Sequence, residues 1–175
     1  MKTWFISGSS RGLGRAITEA ALAAGDQVVA TARKLGPLEP LRERFGERLR
    51  LATLDVTDEA EAQAAIDLAV ATFGGLDVVV NNAGFGDLGS VEDTSLESFR
   101  QQIEANLIGT IIVTKAAIPV LRRQRRGHIV QVSSVGGRIG APARAPYSAA
   151  KWGIEGFSEC AVGVRRHRTN GPDTR

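Results

Sequence analysis

Tyr147 and Lys151, in the stretch PYSAAK, stand four residues apart, a spacing that puts both side chains on one face of a helix. A phenol is a weak proton donor at neutral pH, and a neighbouring ammonium favours its ionised form. At about 4 Å, in an effective dielectric near 20, one ammonium stabilises a phenolate by about 4 kcal/mol, enough to support general acid–base work. Ser134 lies just past the last strand-like segment before this helix, and its hydroxyl can donate to a carbonyl oxygen or a developing alkoxide beside Tyr147. Ser133 is its neighbour, and alternation along a strand sends the two to opposite faces, so only one faces the site easily. Asn106 interrupts an otherwise apolar stretch, NLIGTIIVTKAAI. A buried amide needs partners: a water or the backbone would serve, and a helix kink or packing polar is the plainer reading.

The second constellation is SGSSRGLG, which sets Gly8, Gly12 and Gly14 at the spacing G-x3-G-x-G, with Ser10, Arg11 and Leu13 filling the turn. Glycines there tolerate positive φ and let a phosphate approach the backbone. A helix starting at that point aims unpaired N–H groups and its positive dipole end at the same place. Alone the turn is a weak signal, because many glycine-rich strand–helix turns only turn. Twenty residues further on, a nucleotide-binding fold that prefers NAD usually carries an acid for the ribose 2′-hydroxyl. The sequence has Thr31-Ala32-Arg33 instead. Arg33 and Arg11 would flank a 2′-phosphate, so NADP(H) is the preferred cofactor and NAD(H) the alternative; a plain solvated arginine is the competing reading of Arg33.

These residues need a scaffold. Thr3–Ser7 is a short apolar run that ends at the glycines, as in a buried strand and turn. Gly12–Ala24 is helix-like and stops at Gly25. Gln27–Thr31, Leu49–Leu54, Leu76–Val80 and His128–Val132 read as further strands, and His128 is expected only to begin its strand. Helices are expected in LRERF, over Asp58–Phe73 with Thr57 as its N-cap, over Leu96–Leu121, and from Pro146 past Ser158 with proline in the first turn. The Leu96–Leu121 segment is apolar nearly all round, as in a helix buried against other structure or a second subunit. Strand and helix alternate, which predicts an α/β fold: a doubly wound parallel sheet of Rossmann type with helices on both faces.

Composition narrows the function. The chain has 175 residues, 43% hydrophobic and 23% charged, as in a one-domain globular protein. No uninterrupted apolar run approaches the roughly 20 residues that span a bilayer, and MKTWFISGSS lacks a signal-peptide core. One cysteine, Cys160, makes neither an internal disulfide nor a multi-cysteine metal site, and it is expected to be a small buried residue. No metal site is expected, and the chain reads as cytoplasmic without a membrane partner. The net charge of +3 sits in residues 161–175, where Arg165, Arg166, Arg168 and Arg175 face only Asp173; the first 160 residues are neutral. A basic tail is not a basic face, so nucleic acid is not the expected partner.

Taken together, SGSSRGLG, LDVTD, NNAG, the asparagine of EANLIGT, the SS pair and YSAAK occur in the order and spacing of the short-chain dehydrogenase/reductase family, and the sequence resembles it over about residues 3–160. The resemblance implies that Gly8, Gly12 and Gly14 cradle a pyrophosphate, that Asp55, with Val56 beside it, meets the adenine, and that Asn81, Ala83 and Gly84 line the cofactor cleft. It implies a proton-relay water on Asn106 and a substrate oxygen on Ser134, which stands 13 residues before Tyr147. Tyr147 would be the general acid or base. Lys151 would hold the nicotinamide ribose and act on Tyr147. The reaction implied is hydride transfer between NADP(H) and a ketone, aldehyde or secondary alcohol. Phe85, Leu88 and Val135 are candidates for the substrate wall, with ordinary loop or core packing as the competing reading. Family members commonly form homo-oligomers through the helices corresponding to Leu96–Leu121 and to the one after Pro146. They also continue through two further strands and a substrate-binding segment. Here the resemblance is expected to end near Ala161, where AVGVRRHRTNGPDTR begins. The alternative function is therefore a fragment that binds the nucleotide without turnover.

Overall fold

The computed structural model describes residues 1–161. Five parallel strands form one sheet in the order β3-β2-β1-β4-β5: β1 (Thr3–Ile6), β2 (Gln27–Ala32), β3 (Leu49–Thr53), β4 (Val78–Asn81) and β5 (His128–Gln131). The helices between them are α1 (Gly12–Ala23), α2 (Glu39–Phe45), α3 (Glu59–Phe73), α4 (Leu96–Ile103), α5 (Gly109–Gln124) and α6 (Ala145–Ala161). The expected Rossmann-type doubly wound sheet is therefore present.

Central strands buried on both faces carry continuous apolar runs rather than alternating ones. Phe5, Val29 and Val79 face one core, completed by Ala65, Ile66 and Ala69 of α3 and Val113 and Ala117 of α5. Ile6, Val28, Val78 and Val80 face the other, completed by Leu22 of α1 and Leu41 of α2. The chain runs from β1 outward to β2 and β3, then returns to β4 on the other side of β1. At that reversal the loops after β1 and β4 part and leave a crevice at the carboxyl ends of the strands.

Three expectations change here. The N-cap of α3 is Asp58, whose carboxylate accepts from the N–H groups of Ala60 and Glu61 at 2.8 and 2.9 Å. Thr57 instead donates its N–H and hydroxyl to Asp55, so the chain reaches the helix one residue later than expected. The single helix over Leu96–Leu121 is α4 and α5 joined by one π turn, Glu104–Ile108, and it continues through Pro119 to Gln124. Among the described residues this Leu96–Gln124 helix is long and apolar enough, by length and composition, to cross a membrane. Counting uninterrupted apolar residues missed that, because polar residues are spaced along the helix; Ile112, Val113, Ala117 and Val120 fill the core beneath it. Cys160, finally, is exposed on the last turn of α6, where the helix runs beyond the packed region.

Candidate active site

The end of β1 and the end of β4 are tied together by small polar groups. Ser7 Oγ accepts from the N–H groups of Asn82 and Ala83 at 3.0 and 3.1 Å. Asn82 Nδ2 donates to the carbonyls of Ser7 and Gly8 at 3.0 and 3.1 Å. These bonds fix the glycine turn against the NNAG segment. Gly8 has φ +70°, and a Cβ there would meet Ala83 Cα at 2.8 Å. A Cβ on Gly14 would overlap the Gly8 carbonyl and the Asn82 amide, so this turn admits no side chain at either position.

The crevice above it is a cleft of about 320 Å³, lined in part by Gly8, Ser10, Arg11, Gly12, Leu13 and Arg33 and closed by Asp55, Val56, Ala83 and Gly84. All of these were expected from the sequence. A Cβ on Gly12 would meet no protein atom and would stand in open space, which suits a group laid against the bare backbone. Two of its lining residues, Arg11 and Arg33, are exposed arginines. Asp55 lies at the same cleft, held below the ordinary carboxylate range by the hydroxyl and N–H of Thr57 and, less strongly, by the Arg33 charge. The residues present thus fit a dinucleotide with an anionic bridge.

Asn81 is placed differently from Asn82. Its Nδ2 donates to Thr114 Oγ1 at 2.9 Å and Gln131 Oε1 at 2.8 Å, which turns it beneath the sheet edge; the cleft is lined by Asn82. In an N-N pair at a strand end the sequence carries no phase marker. The backbone geometry that decides it lies in the turn.

A second cavity of about 220 Å³ adjoins the cleft and shares Asn82, Gly84 and Phe85 with it. Its other walls include Asn106, Ser133, Arg144, Tyr147 and Lys151. Lys151 is 5% exposed. Its Nζ donates to the Val132 carbonyl at 2.7 Å and lies 5.6 Å from the centre of the Tyr147 ring. Burial lowers its pKa from the ordinary 10.5, and no carboxylate lies within ion-pair distance among the described residues. Gly86 packs directly under the Tyr147 ring, where a Cβ would come within 2.6 Å of it.

Of the two serines, Ser133 lines this cavity, and its buried hydroxyl has no partner. Ser134 Oγ accepts from the Gly136 N–H at 3.1 Å, which leaves its own proton available. Asn106 is fully buried. Its Nδ2 donates to the carbonyls of Phe85 and Gln102 at 2.7 and 2.8 Å, and its Oδ1 accepts from the Phe85 N–H at 3.1 Å. Of the alternatives open in the sequence, the side chain takes the backbone. Leu88 and Val135 are exposed and line neither cavity, whereas Phe85 lines both. Arg144 was not expected at the site; its signal was an arginine three residues before Tyr147.

A family profile described as short chain dehydrogenase matches residues 2–166. The chain belongs to the short chain dehydrogenase family. The match runs past the boundary expected near Ala161, and residues 162–175, the arginine-rich tail, lie outside the described residues. The chain is 53% identical over 158 residues to the oxidoreductase BOA17 of Botryotinia fuckeliana (strain B05.10), covering 90% of this chain and 58% of that protein. It is 36% identical over 170 residues to trans-4-hydroxycyclohexanecarboxylate dehydrogenase of Sinomonas cyclohexanicum, covering 92% and 65%. The crystal structure of a short-chain dehydrogenase from Streptomyces avermitilis superposes with a TM-score of 0.88 at 38% identity, over 91% of this chain and 60% of that one. The chain therefore spans less than two thirds of the length of each.

Proposed function

We propose that this short chain dehydrogenase is an oxidoreductase that uses NADP(H) to interconvert a small carbonyl compound and its secondary or primary alcohol. The observation that carries the reading is Lys151: an ammonium almost wholly buried, without a carboxylate partner among the described residues, set against the ring of Tyr147 in a cavity that adjoins the nucleotide cleft. A buried charge without a counter-ion is costly, and that cost is retained where the charge acts on a neighbour.

When bound, the nicotinamide supplies or accepts the hydride. Tyr147 gives its hydroxyl proton to the carbonyl oxygen on reduction and takes it back on oxidation. Lys151 holds the resulting phenolate electrostatically. Ser134, whose Oγ accepts from the Gly136 N–H and keeps its own proton, donates that proton to the same substrate oxygen, and its neighbour Ser133 lines the cavity. Asn106 holds Phe85 through its amide, at the cavity that Tyr147 and Lys151 line. Arg11 and Arg33 hold the 2′-phosphate, and the glycine turn takes the pyrophosphate.

A second reading, nucleotide binding without turnover, is favoured by β5. Val130 is 46% exposed on that strand. A further cavity of about 250 Å³, lined by Ile118, Ile129, Gln131 and Ser158 among others, opens between β5, α5 and α6. Binding of NADPH followed by fluorescence, with turnover of a panel of aldehydes and ketones, separates the two. The proposed function predicts turnover that Tyr147→Phe abolishes while NADPH affinity changes less than threefold. Binding with no turnover by the unaltered chain selects the second reading, and unchanged turnover in Tyr147→Phe removes Tyr147 as the acid.

A further inference from the structure

Arg144 is placed at a disadvantage in three respects. It precedes the first residue of α6, and its carbonyl accepts from the Ser148 N–H at 2.8 Å. A cation at a helix N-terminus opposes the helix dipole. The residue before it, Ala143, has φ +61°, a conformation that residues with a Cβ rarely adopt. Ala143 is held there by its carbonyl, which accepts from the Gly89 N–H at 3.1 Å. The guanidinium, lastly, has no carboxylate within ion-pair distance among the described residues. The other arginine of the same loop, Arg138, pairs with Glu155 at 2.6 Å.

What the placement achieves is position. The Arg144 guanidinium lies 5.8 Å from the centre of the Tyr147 ring, and it lines the same cavity as Tyr147 and Lys151. Among the described residues no aspartate or glutamate lines that cavity. Lys151 is buried and gives one proton to the Val132 carbonyl, whereas Arg144 is the exposed cation of that lining, in a planar fork that fits a carboxylate. Backbone strain beside a reactive group is a pointer to function.

We propose that Arg144 recognises a carboxylate on the substrate, so that the compounds turned over are small carbonyl or hydroxy acids whose anionic end is held at Arg144 while the reacting oxygen meets Tyr147. This rests on the oxidoreductase reading of the same cavity. It differs from an arginine that merely supports the phenolate, which would favour charged and neutral substrates alike.

The test compares 4-carboxybenzaldehyde with its uncharged methyl ester as substrates under saturating NADPH, using the full chain, Arg144→Lys and Arg144→Gln. The unaltered chain is expected to favour the acid at least tenfold in kcat/KM, chiefly through KM. Arg144→Gln should lose that preference, and Arg144→Lys should keep part of it. A parallel titration measures Kd for 4-(hydroxymethyl)benzoate and its methyl ester in the presence of NADP+. A carboxylate preference in Kd that Arg144→Gln removes supports the proposal even without turnover, in which case only the oxidoreductase reading fails. No preference in the unaltered chain, including no binding of either compound, overturns it. A preference that survives in Arg144→Gln overturns it too.

Discussion

Replacing Lys151 with methionine keeps much of the side-chain volume and removes the charge, so it separates what the ammonium does for the reaction from what it does for the fold. The Nζ–ring-centre distance of 5.6 Å sets the scale. Taking the ring centre as the centre of the phenolate charge, and an effective dielectric near 20, the attraction is about 3 kcal/mol. That corresponds to about a 150-fold loss of rate. The assay is kcat for a carbonyl substrate at saturating NADPH, so that a weaker hold on the nucleotide does not enter. A kcat in Lys151→Met within tenfold of the unaltered chain would refute the electrostatic role assigned here.

Stability should move differently. Removing the ammonium removes a buried charge but leaves the Val132 carbonyl without its donor, a loss of about 1–3 kcal/mol, against a desolvation cost of several kcal/mol relieved. Lys151→Met is therefore expected to be at least as stable as the unaltered chain at neutral pH. The pH dependence carries the sign. The folded-state pKa of Lys151 lies below the ordinary 10.5 because burial disfavours its charge. Below the folded value both states hold the proton and the penalty is complete. As pH rises from there to 10.5 the unfolded state holds more protons, and stability climbs by at most about 1.4 kcal/mol per pH unit. The difference in urea unfolding free energy between Lys151→Met and the unaltered chain should accordingly shrink as pH rises through that window to 10.5; a difference independent of pH would contradict a buried, desolvated ammonium.

Arg33→Ala should raise Kd for NADPH about tenfold, the loss of one charge-assisted contact, and leave NADH nearly unchanged; no change in either would show that Arg33 is a solvated side chain, and equal weakening of both that it does not hold the 2′-phosphate. Gly14→Ala should cost about 1–3 kcal/mol by overpacking against the Gly8 carbonyl and weaken NADPH binding; thermal unfolding and a fluorescence titration check both. Asp58→Ala should cost about 1 kcal/mol and lower Tm by about 2–4 °C with kcat unaffected. A larger loss in Thr57→Ala would return the cap to Thr57.

The elements were legible because each core strand is a short apolar run, such as Val78-Val79-Val80, bounded by turn residues. The cofactor side of the site was legible for a related reason. Glycines, Arg33 and Asp55 lie just past strand ends, and a strand end is what a periodicity break marks. What escaped depends on one-residue phase. Thr57 and Asp58 are both good caps, and Asn81 and Asn82 are the same residue type. Those choices are made by tertiary partners: Ser7 and Gly8 for Asn82, Thr114 and Gln131 for Asn81. Arg144 escaped for another reason, since an arginine in a loop has no periodicity at all until the loop is folded beside Tyr147.

Asn106 shows how such a choice bears on function. An amide gives to the Phe85 carbonyl and receives from the Phe85 N–H through two separate atoms, as a neighbouring strand would. That pairing fastens the segment after β4, which walls the nucleotide cleft with Gly84 and Phe85, to the π turn that walls the second cavity. The extra residue of the π turn brings the amide level with Phe85, and Gln102, one turn earlier and also fully buried, accepts from the Asp87 N–H. The two cavities therefore share a wall fixed by two buried amides, and the relative placement of nucleotide and phenol follows from hydrogen bonds made by residues that an apolar helix would otherwise have no reason to carry.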